Sequence, residues 1–233
     1  MPIDFPKSTR RAFLTSAVAG TAIAASMGHG WAQSTLVPLA EYVPTFLSPT
    51  EWAFLMAAVA RLIPSGERSP GAIEARVPVF IDLQLAGEFG QASDWYMSAP
   101  HVPDSDPLLG FQASLTPALI YRQGIAAFDT WCEVAHGAPF AKLDADTQDL
   151  ALTALEGGKV KLSPDLRDFF DLLLQNTKEG FFADPMYGGN AGMVGWLHIG
   201  FPGARASYRE WNDPATDNVR YPMGPVSISG ERA

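Results

Sequence analysis

Apolar side chains recur at spacings of three and four residues along much of the chain between residues 48 and 177. This period is typical of α-helices that turn one face to a core, and no run of alternating residues of strand length competes with it. The pattern therefore predicts an all-α fold, an irregular bundle of about five helices whose short connections favour antiparallel neighbours.

The helix boundaries are predicted from capping and breaking residues. Ser48 and Pro49 begin the first helix, and Pro64 stops it. A second helix is expected over residues 72–86, broken or bent at Pro78, whereas the proline-rich residues 98–110 predict a loop. Three further helices are predicted from about Pro117 to His136, from Asp144 to Gly157, and from Ser163 through Thr177.

The first forty residues have the pattern of an export signal. Arg10 and Arg11 precede Phe13 and Leu14, and residues 12–40 contain no Asp, Glu, Lys or Arg and only scattered large apolar side chains. A paired arginine before a weakly apolar segment is the address that the twin-arginine translocase reads. We therefore expect twin-arginine export to the periplasm.

An uncleaved anchor helix is the alternative interpretation of this segment. A spanning helix needs about 20 mostly apolar residues, whereas three glycines and several hydroxyl side chains interrupt residues 12–40. Cleavage after Ala32 agrees with the small-residue rule, so residues 1–32 are predicted to be a signal peptide. No later segment is long and apolar enough to span a membrane. Residues 33–204 are expected to form a helical domain, with residues 205–233 as an extended tail.

The charge of the mature part limits its partners. Residues 33–233 carry 13 basic and 24 acidic side chains, a formal charge of −11. Such a chain repels phosphate groups, so nucleic acid and anionic lipid surfaces are poor partners. Aromatic residues make up 11% of the sequence and charged residues only 18%, which indicates that part of the surface is covered by something other than water.

Few residues are available for cofactor or metal chemistry. Cys132 is the only cysteine, so a haem c attachment motif, an iron–sulfur cluster and a cysteine-rich zinc site are excluded. Its apolar surroundings favour a small buried hydrophobe over a bridge to another chain. His101, His136 and His198 lack metal-ligand spacing; His136 fits a helix end and His198 a packing residue. We predict no catalytic, cofactor-binding or metal-binding residue in this chain.

The segment from Phe181 to Gly203 concentrates glycine, proline and aromatic residues. Asp184 and Pro185 begin a turn, and Asn190 can cap the next turn or helix. Without a strand or a nearby lysine, a tight loop that packs aromatic groups is favoured over an anion-binding loop. The alternative function is a free-standing periplasmic enzyme or small-ligand binder with a pocket in this segment, in which Asp184 and His198 form an acid–base pair. That pocket would use Asp184, Tyr187, Asn190, Trp196 and His198.

The tail after Arg205 carries four large aromatic or methionine side chains among prolines and polar residues, with little helical period. Such a tail packs along its own bundle, wraps a partner or stays disordered. Because aromatic side chains supply much of the energy of interfaces, the tail and the preceding glycine-rich segment are candidates for partner contact. The candidate interface residues are Asp184, Tyr187, Gly188, Gly189, Asn190, Trp196, Phe201, Tyr208 and Trp211.

Three motifs together resemble a known family. They are Tyr121-Arg122-Gln123-Gly124 in the long helix, the run from Gly180 to Asn190, and Gly195-Trp196 followed by Gly200-Phe201-Pro202-Gly203. From about Leu47 to Tyr208 the chain is similar to the small subunit, subunit 3, of gluconate 2-dehydrogenase-type complexes. The twin-arginine start fits this family as well.

In that family the small subunit accompanies a large flavoprotein that oxidises a sugar or sugar acid, and electrons pass on to a cytochrome c subunit. The resemblance implies that FAD belongs to the large subunit and haem c to the cytochrome, with no cofactor in this chain. It also implies a non-catalytic accessory role, in which this chain stabilises the flavoprotein and lends it the export signal. Association with the inner membrane would then be peripheral, through the partners.

Overall fold

A computed structural model describes residues 37–67, 69–211, 219 and 221–233 of the chain. The predicted signal peptide, with Arg10, Arg11, Phe13 and Leu14, lies outside these residues. The chain divides into two compact units after Tyr42. Residues 37–42 of the first unit contain one 3-10 turn, Leu39–Glu41. The second unit begins at Val43 and contains all the α-helices of the described residues.

The described part of the second unit is helical and contains no β-strand, which confirms the all-α prediction. None of its helices combines the length and the apolar composition needed to cross a membrane. The six α-helices are α1 (Pro49–Leu62), α2 (Val77–Ala86), α3 (Pro117–His136), α4 (Ala145–Glu156), α5 (Phe169–Phe182) and α6 (Val194–Ile199).

Side-chain caps fix several helix starts where the sequence predicts them. Ser48 and Glu51 form a reciprocal capping box at the start of α1: the Glu51 carboxylate accepts the Ser48 N–H at 2.7 Å, and the Ser48 hydroxyl accepts the Glu51 N–H at 3.4 Å. Asp144 accepts the backbone N–H of Thr147 at the start of α4. Gly137 ends α3 in the left-handed conformation that closes many helices.

The second and fifth helices begin later than the sequence pattern predicts. Residues 72–76 form turns, and Arg76 has a left-handed φ of 57°, so α2 begins at Val77. Pro78 consequently lies in the first turn of α2, where its missing N–H removes no helical hydrogen bond, and the predicted break there is wrong. Ser163 precedes only a 3-10 turn, and α5 starts at Phe169.

The core surrounds the ring of Phe54 on α1. This ring meets Phe128 of α3 edge-on with centroids 6.1 Å apart, and its centroid lies 5.2 Å from that of Phe140 and 6.3 Å from that of Phe169 on α5. All four rings are fully buried. Ile81 joins α2 and Leu152 joins α4 to the same cluster, so five helices share one apolar core.

A buried carboxylate fixes the segment that leads into α1. Asp82 on α2 is fully buried and accepts the backbone N–H groups of Thr45, Phe46 and Leu47 at 2.6, 3.0 and 2.9 Å. Hydrogen bonds to a charged acceptor are stronger than those between neutral groups. Polar contacts from α2 therefore position the entry to α1 in addition to the apolar packing.

Candidate functional site

Asp184 organises the chain immediately after α5. Its Oδ1 accepts the N–H of Met186 at 3.2 Å and caps the 3-10 turn Pro185–Tyr187. Its Oδ2 accepts the N–H of Ile228 at 2.6 Å. The side chain is buried. This carboxylate therefore binds two backbone segments that are far apart in the chain, one beside it and one near the C-terminus.

Asn190 ties the end of α5 to the start of α6. It is fully buried and has a left-handed φ of 46°. Its Nδ2 donates to the carbonyl of Ala183 at 2.9 Å, and its Oδ1 accepts the N–H of Gly195 at 2.8 Å. Asparagine tolerates the left-handed conformation better than most side chains do, and both ends of its amide are used here.

Gly195 lets α6 approach α5 closely. A Cβ atom at this position would lie 2.2 Å from the carbonyl oxygen of Phe181, a distance that no side chain can occupy. The neighbouring Trp196 is buried, donates from Nε1 to the carbonyl of Phe182 at 2.7 Å, and meets the ring of Phe201 edge-on. The sequence pattern did not predict α6, because a helix of six residues with a glycine has too little period to detect.

Charge is absent from the surface of this region. Between Phe181 and Ala204, Asp184 is the only Asp, Glu, Lys or Arg, and its carboxylate is buried. Large apolar side chains in the same segment are nevertheless exposed. Depletion of charge around exposed aromatic and methionine side chains is typical of the core of a protein–protein interface. The exposed apolar residues are Phe182, Met186, Tyr187, Leu197, Ile199 and Phe201.

Three shallow grooves meet around the end of α6. One of about 360 Å³ lies between Leu197, Phe201 and Met223. A second of about 450 Å³ is lined by Ile199 and His198 with Trp211 and Tyr221, and a third passes Tyr208. Because neighbouring grooves share lining residues, they form one surface. We call it the α6–tail surface, and it comprises Leu197, Ile199, Phe201, Tyr208, Trp211, Tyr221 and Met223.

The nine candidate interface residues divide by burial. Phe201, Tyr208 and Trp211 lie on the α6–tail surface, and Tyr187 is exposed on the preceding 3-10 turn. Gly188 is half-buried. The remaining four candidates are buried and hold the fold of the segment together. These four are Asp184, Gly189, Asn190 and Trp196.

Three interactions of tail residues were not predicted from the sequence. The ring of Tyr221 packs against that of Trp211 with centroids 4.8 Å apart and lies under the Arg205 guanidinium at 4.7 Å. The Tyr208 hydroxyl donates to the carbonyl of Gly203. The concentration of aromatic residues after Arg205 indicates that such contacts are possible, but their partners depend on the course of the chain.

The predicted acid–base pair does not form. Both oxygens of Asp184 accept backbone N–H groups, and His198 is exposed on α6, with no hydrogen bond between the two side chains. The prediction of His198 as a packing residue is wrong because its side chain is exposed. His136 lies in the last turn of α3 as predicted and contacts the Trp131 ring edge-on.

Cys132 is fully buried, in agreement with its predicted role as a small hydrophobe. Burial, with a smaller contribution from the Asp129 carboxylate, raises the pKa of the thiol to about 12. The thiol is therefore unreactive at neutral pH. Within the described ranges, no three His, Cys, Asp or Glu side chains are grouped closely enough to hold a metal ion.

Comparison with known proteins identifies the class to which this helical chain belongs. The sequence model of gluconate 2-dehydrogenase subunit 3 matches residues 49–203 of the 233. The chain belongs to the gluconate 2-dehydrogenase subunit 3 family. Membership of this family implies that the chain has partner subunits in a dehydrogenase complex. Neither the curated proteins nor the solved structures contain a match to the chain.

Proposed function

We propose that this chain is a non-catalytic accessory subunit of a periplasmic FAD-dependent dehydrogenase that oxidises a sugar or sugar acid. It stabilises the flavoprotein subunit and carries it through the twin-arginine translocase. The observation that carries this proposal is the α6–tail surface, an apolar surface whose α6 side lies in a segment without exposed Asp, Glu, Lys or Arg, on a chain of the subunit 3 family. Such a surface fits another protein better than it fits water.

Contact with the flavoprotein is proposed through the four aromatic candidates that are exposed or half-buried. Tyr187, Phe201, Tyr208 and Trp211 supply aromatic rings, the side chains that most often dominate interface energy. The buried candidates act indirectly, because Asp184 and Asn190 hold the backbone next to Tyr187 and at the start of α6. Preorganisation of this kind lowers the entropy lost on binding.

Export of the pair is proposed from the sequence near the start of the chain. Arg10 and Arg11 with Phe13 and Leu14 form the twin-arginine address. In this proposal the flavoprotein folds around its FAD in the cytoplasm, binds this chain, and crosses the membrane with it. FAD then belongs to the large subunit and haem c to a cytochrome subunit that receives the electrons and keeps the complex at the inner membrane.

Co-purification tests this proposal. The full chain with an affinity tag is produced together with the flavoprotein subunit, and the complex is isolated from the periplasm. We expect a stoichiometric flavoprotein, with a flavin absorbance spectrum, that reduces an artificial acceptor when a sugar acid is added. The purified single chain should show neither the flavin spectrum nor the activity. Sugar oxidation by the single chain would contradict the accessory role and favour a free-standing enzyme.

A further inference from the structure

The C-terminal segment, residues 221–233, lies beyond the part of the chain that matches the family, yet it is built onto that part. The N–H of Ala204 donates to the carbonyl of Val226 at 2.6 Å, and the N–H of Val226 donates to the carbonyl of Pro202 at 3.3 Å. Gly203 permits this approach: its φ is +78°, and a Cβ atom there would lie 2.2 Å from the Val226 carbonyl oxygen.

A second attachment holds the turn after Val226. The buried Asp184 carboxylate accepts the N–H of Ile228. Ser227 is buried, and its hydroxyl accepts the N–H of Glu231 at 2.9 Å, while its carbonyl accepts the N–H of Gly230 at 3.0 Å. These contacts fix the backbone of the segment on both sides of Ile228.

Two large apolar side chains of this fixed segment nevertheless point to solvent. Ile228 is 65% exposed and Met223 is 51% exposed. Met223 lines the 360 Å³ groove opposite Leu197 and Phe201 of the α6–tail surface. A backbone held by several hydrogen bonds that presents apolar side chains outward is preorganised for contact with a partner.

Charge indicates the kind of partner. The whole chain has a formal charge of −9, which disfavours an anionic membrane and a second copy as the occupant. The segment carries one acid and one base, Glu231 and Arg232, and the groove residues are uncharged. A complementary occupant is therefore an uncharged, apolar protein surface that brings no large negative charge to this face.

We propose that residues 221–233 are part of the docking surface for the dehydrogenase subunit. Apolar side chains of that subunit fill the groove between α6 and Met223. This inference rests on the proposed function, because that function supplies the partner. The inference adds that the docking surface extends to residues 221–233, which lie outside the residues 49–203 that match the family.

The test compares variants of the full chain in complex with its flavoprotein subunit. Met223→Ser and Ile228→Ser remove exposed apolar contacts, and Leu150→Ser on α4 is the matched control because Leu150 is 66% exposed. We expect each tail variant to bind about tenfold or more weakly. The control should keep wild-type affinity, and all three single chains should keep the wild-type melting temperature.

The outcomes separate this inference from the proposed function. Wild-type affinity in both tail variants, together with weaker binding of Phe201→Ser, would overturn the role of the segment and leave the accessory function intact. A wild-type chain that never binds the flavoprotein subunit would overturn both. A concentration-dependent dimer of the single chain that the tail variants abolish would replace the flavoprotein with a second copy as the occupant.

A second measurement does not depend on variants. Met223 is exposed in the single chain, so dilute peroxide should oxidise its thioether readily. Complex formation should slow this oxidation at least about fivefold if the groove is occupied. Equal oxidation rates of Met223 in the single chain and in the complex would contradict the proposal.

Discussion

Replacement of Asn190 tests whether the glycine-rich segment is a rigid support for the α6–tail surface. Asn190→Ala removes the acceptor of the Gly195 N–H and the donor to the Ala183 carbonyl. It also places a Cβ-bearing residue without a polar side chain at a φ of 46°. Asn190→Gly removes the same two hydrogen bonds but is free of the conformational strain.

The structure gives the size of the expected loss. An unsatisfied buried polar group costs about 1–3 kcal/mol, and Gly195 is buried while Ala183 is half-buried. Alanine in the left-handed region costs about 1 kcal/mol more. Asn190→Ala should therefore lower the free energy of unfolding by about 3–5 kcal/mol, and Asn190→Gly by about 1 kcal/mol less. Small domains are stable by only about 5–15 kcal/mol, so the loss is easily measured.

Urea unfolding with tryptophan fluorescence as the readout measures both variants. The buried Trp196 donates a hydrogen bond to the carbonyl of Phe182, next to the Ala183 carbonyl that Asn190 binds, so its fluorescence reports on this segment. Unchanged m-values would show that the folded states of the variants remain comparable. A loss of unfolding free energy below about 0.5 kcal/mol in Asn190→Ala would refute the claim that Asn190 holds this segment in place. Equal losses in the alanine and glycine variants would instead refute the strain at this position.

Two further predictions concern the bundle itself. Asp82→Ala leaves three backbone N–H groups without their acceptor and should lower the free energy of unfolding, measured by thermal unfolding, by about 3 kcal/mol or more. The control is Asp165→Ala, which removes an exposed acceptor of the Ser114 N–H and should cost less than about 1 kcal/mol. Burial raises the pKa of Asp129, so the contribution of this carboxyl to folding stability is greatest at acid pH and falls as the pH rises from the ordinary aspartate pKa through the raised one. Asp129→Asn should remove this fall, and parallel melting-temperature curves for wild type and variant between about pH 3 and pH 7 would contradict it.

The sequence predicts best those features that short segments determine. The Ser48 and Asp144 caps and the long apolar stripe of α3 depend on residues within four positions of one another, and all three occur in the structure. The start of α2 was misplaced because Arg76 takes a left-handed conformation that arginine rarely adopts. No local pattern signals that choice.

The composition of the glycine-rich segment does not show how that segment is organised. Glycine, aromatic and asparagine content marked the segment around Asn190, yet the division between buried support and exposed surface depends on tertiary contacts. The hydrogen bond from Ile228 to Asp184 spans 44 residues, and the approach of Val226 to Gly203 likewise joins distant segments. Sequence spacing alone carries no information on such pairs.

Subcellular fractionation of a twin-lysine variant tests the central claim most directly. The full chain carrying Arg10→Lys and Arg11→Lys is produced with its flavoprotein subunit, and flavin-dependent sugar-acid oxidation is measured in periplasm and cytoplasm. We predict that the flavoprotein and its activity move to the cytoplasm together with this chain, while the wild-type pair is periplasmic. A flavoprotein that still reaches the periplasm at the wild-type level would contradict the claim that this subunit carries it.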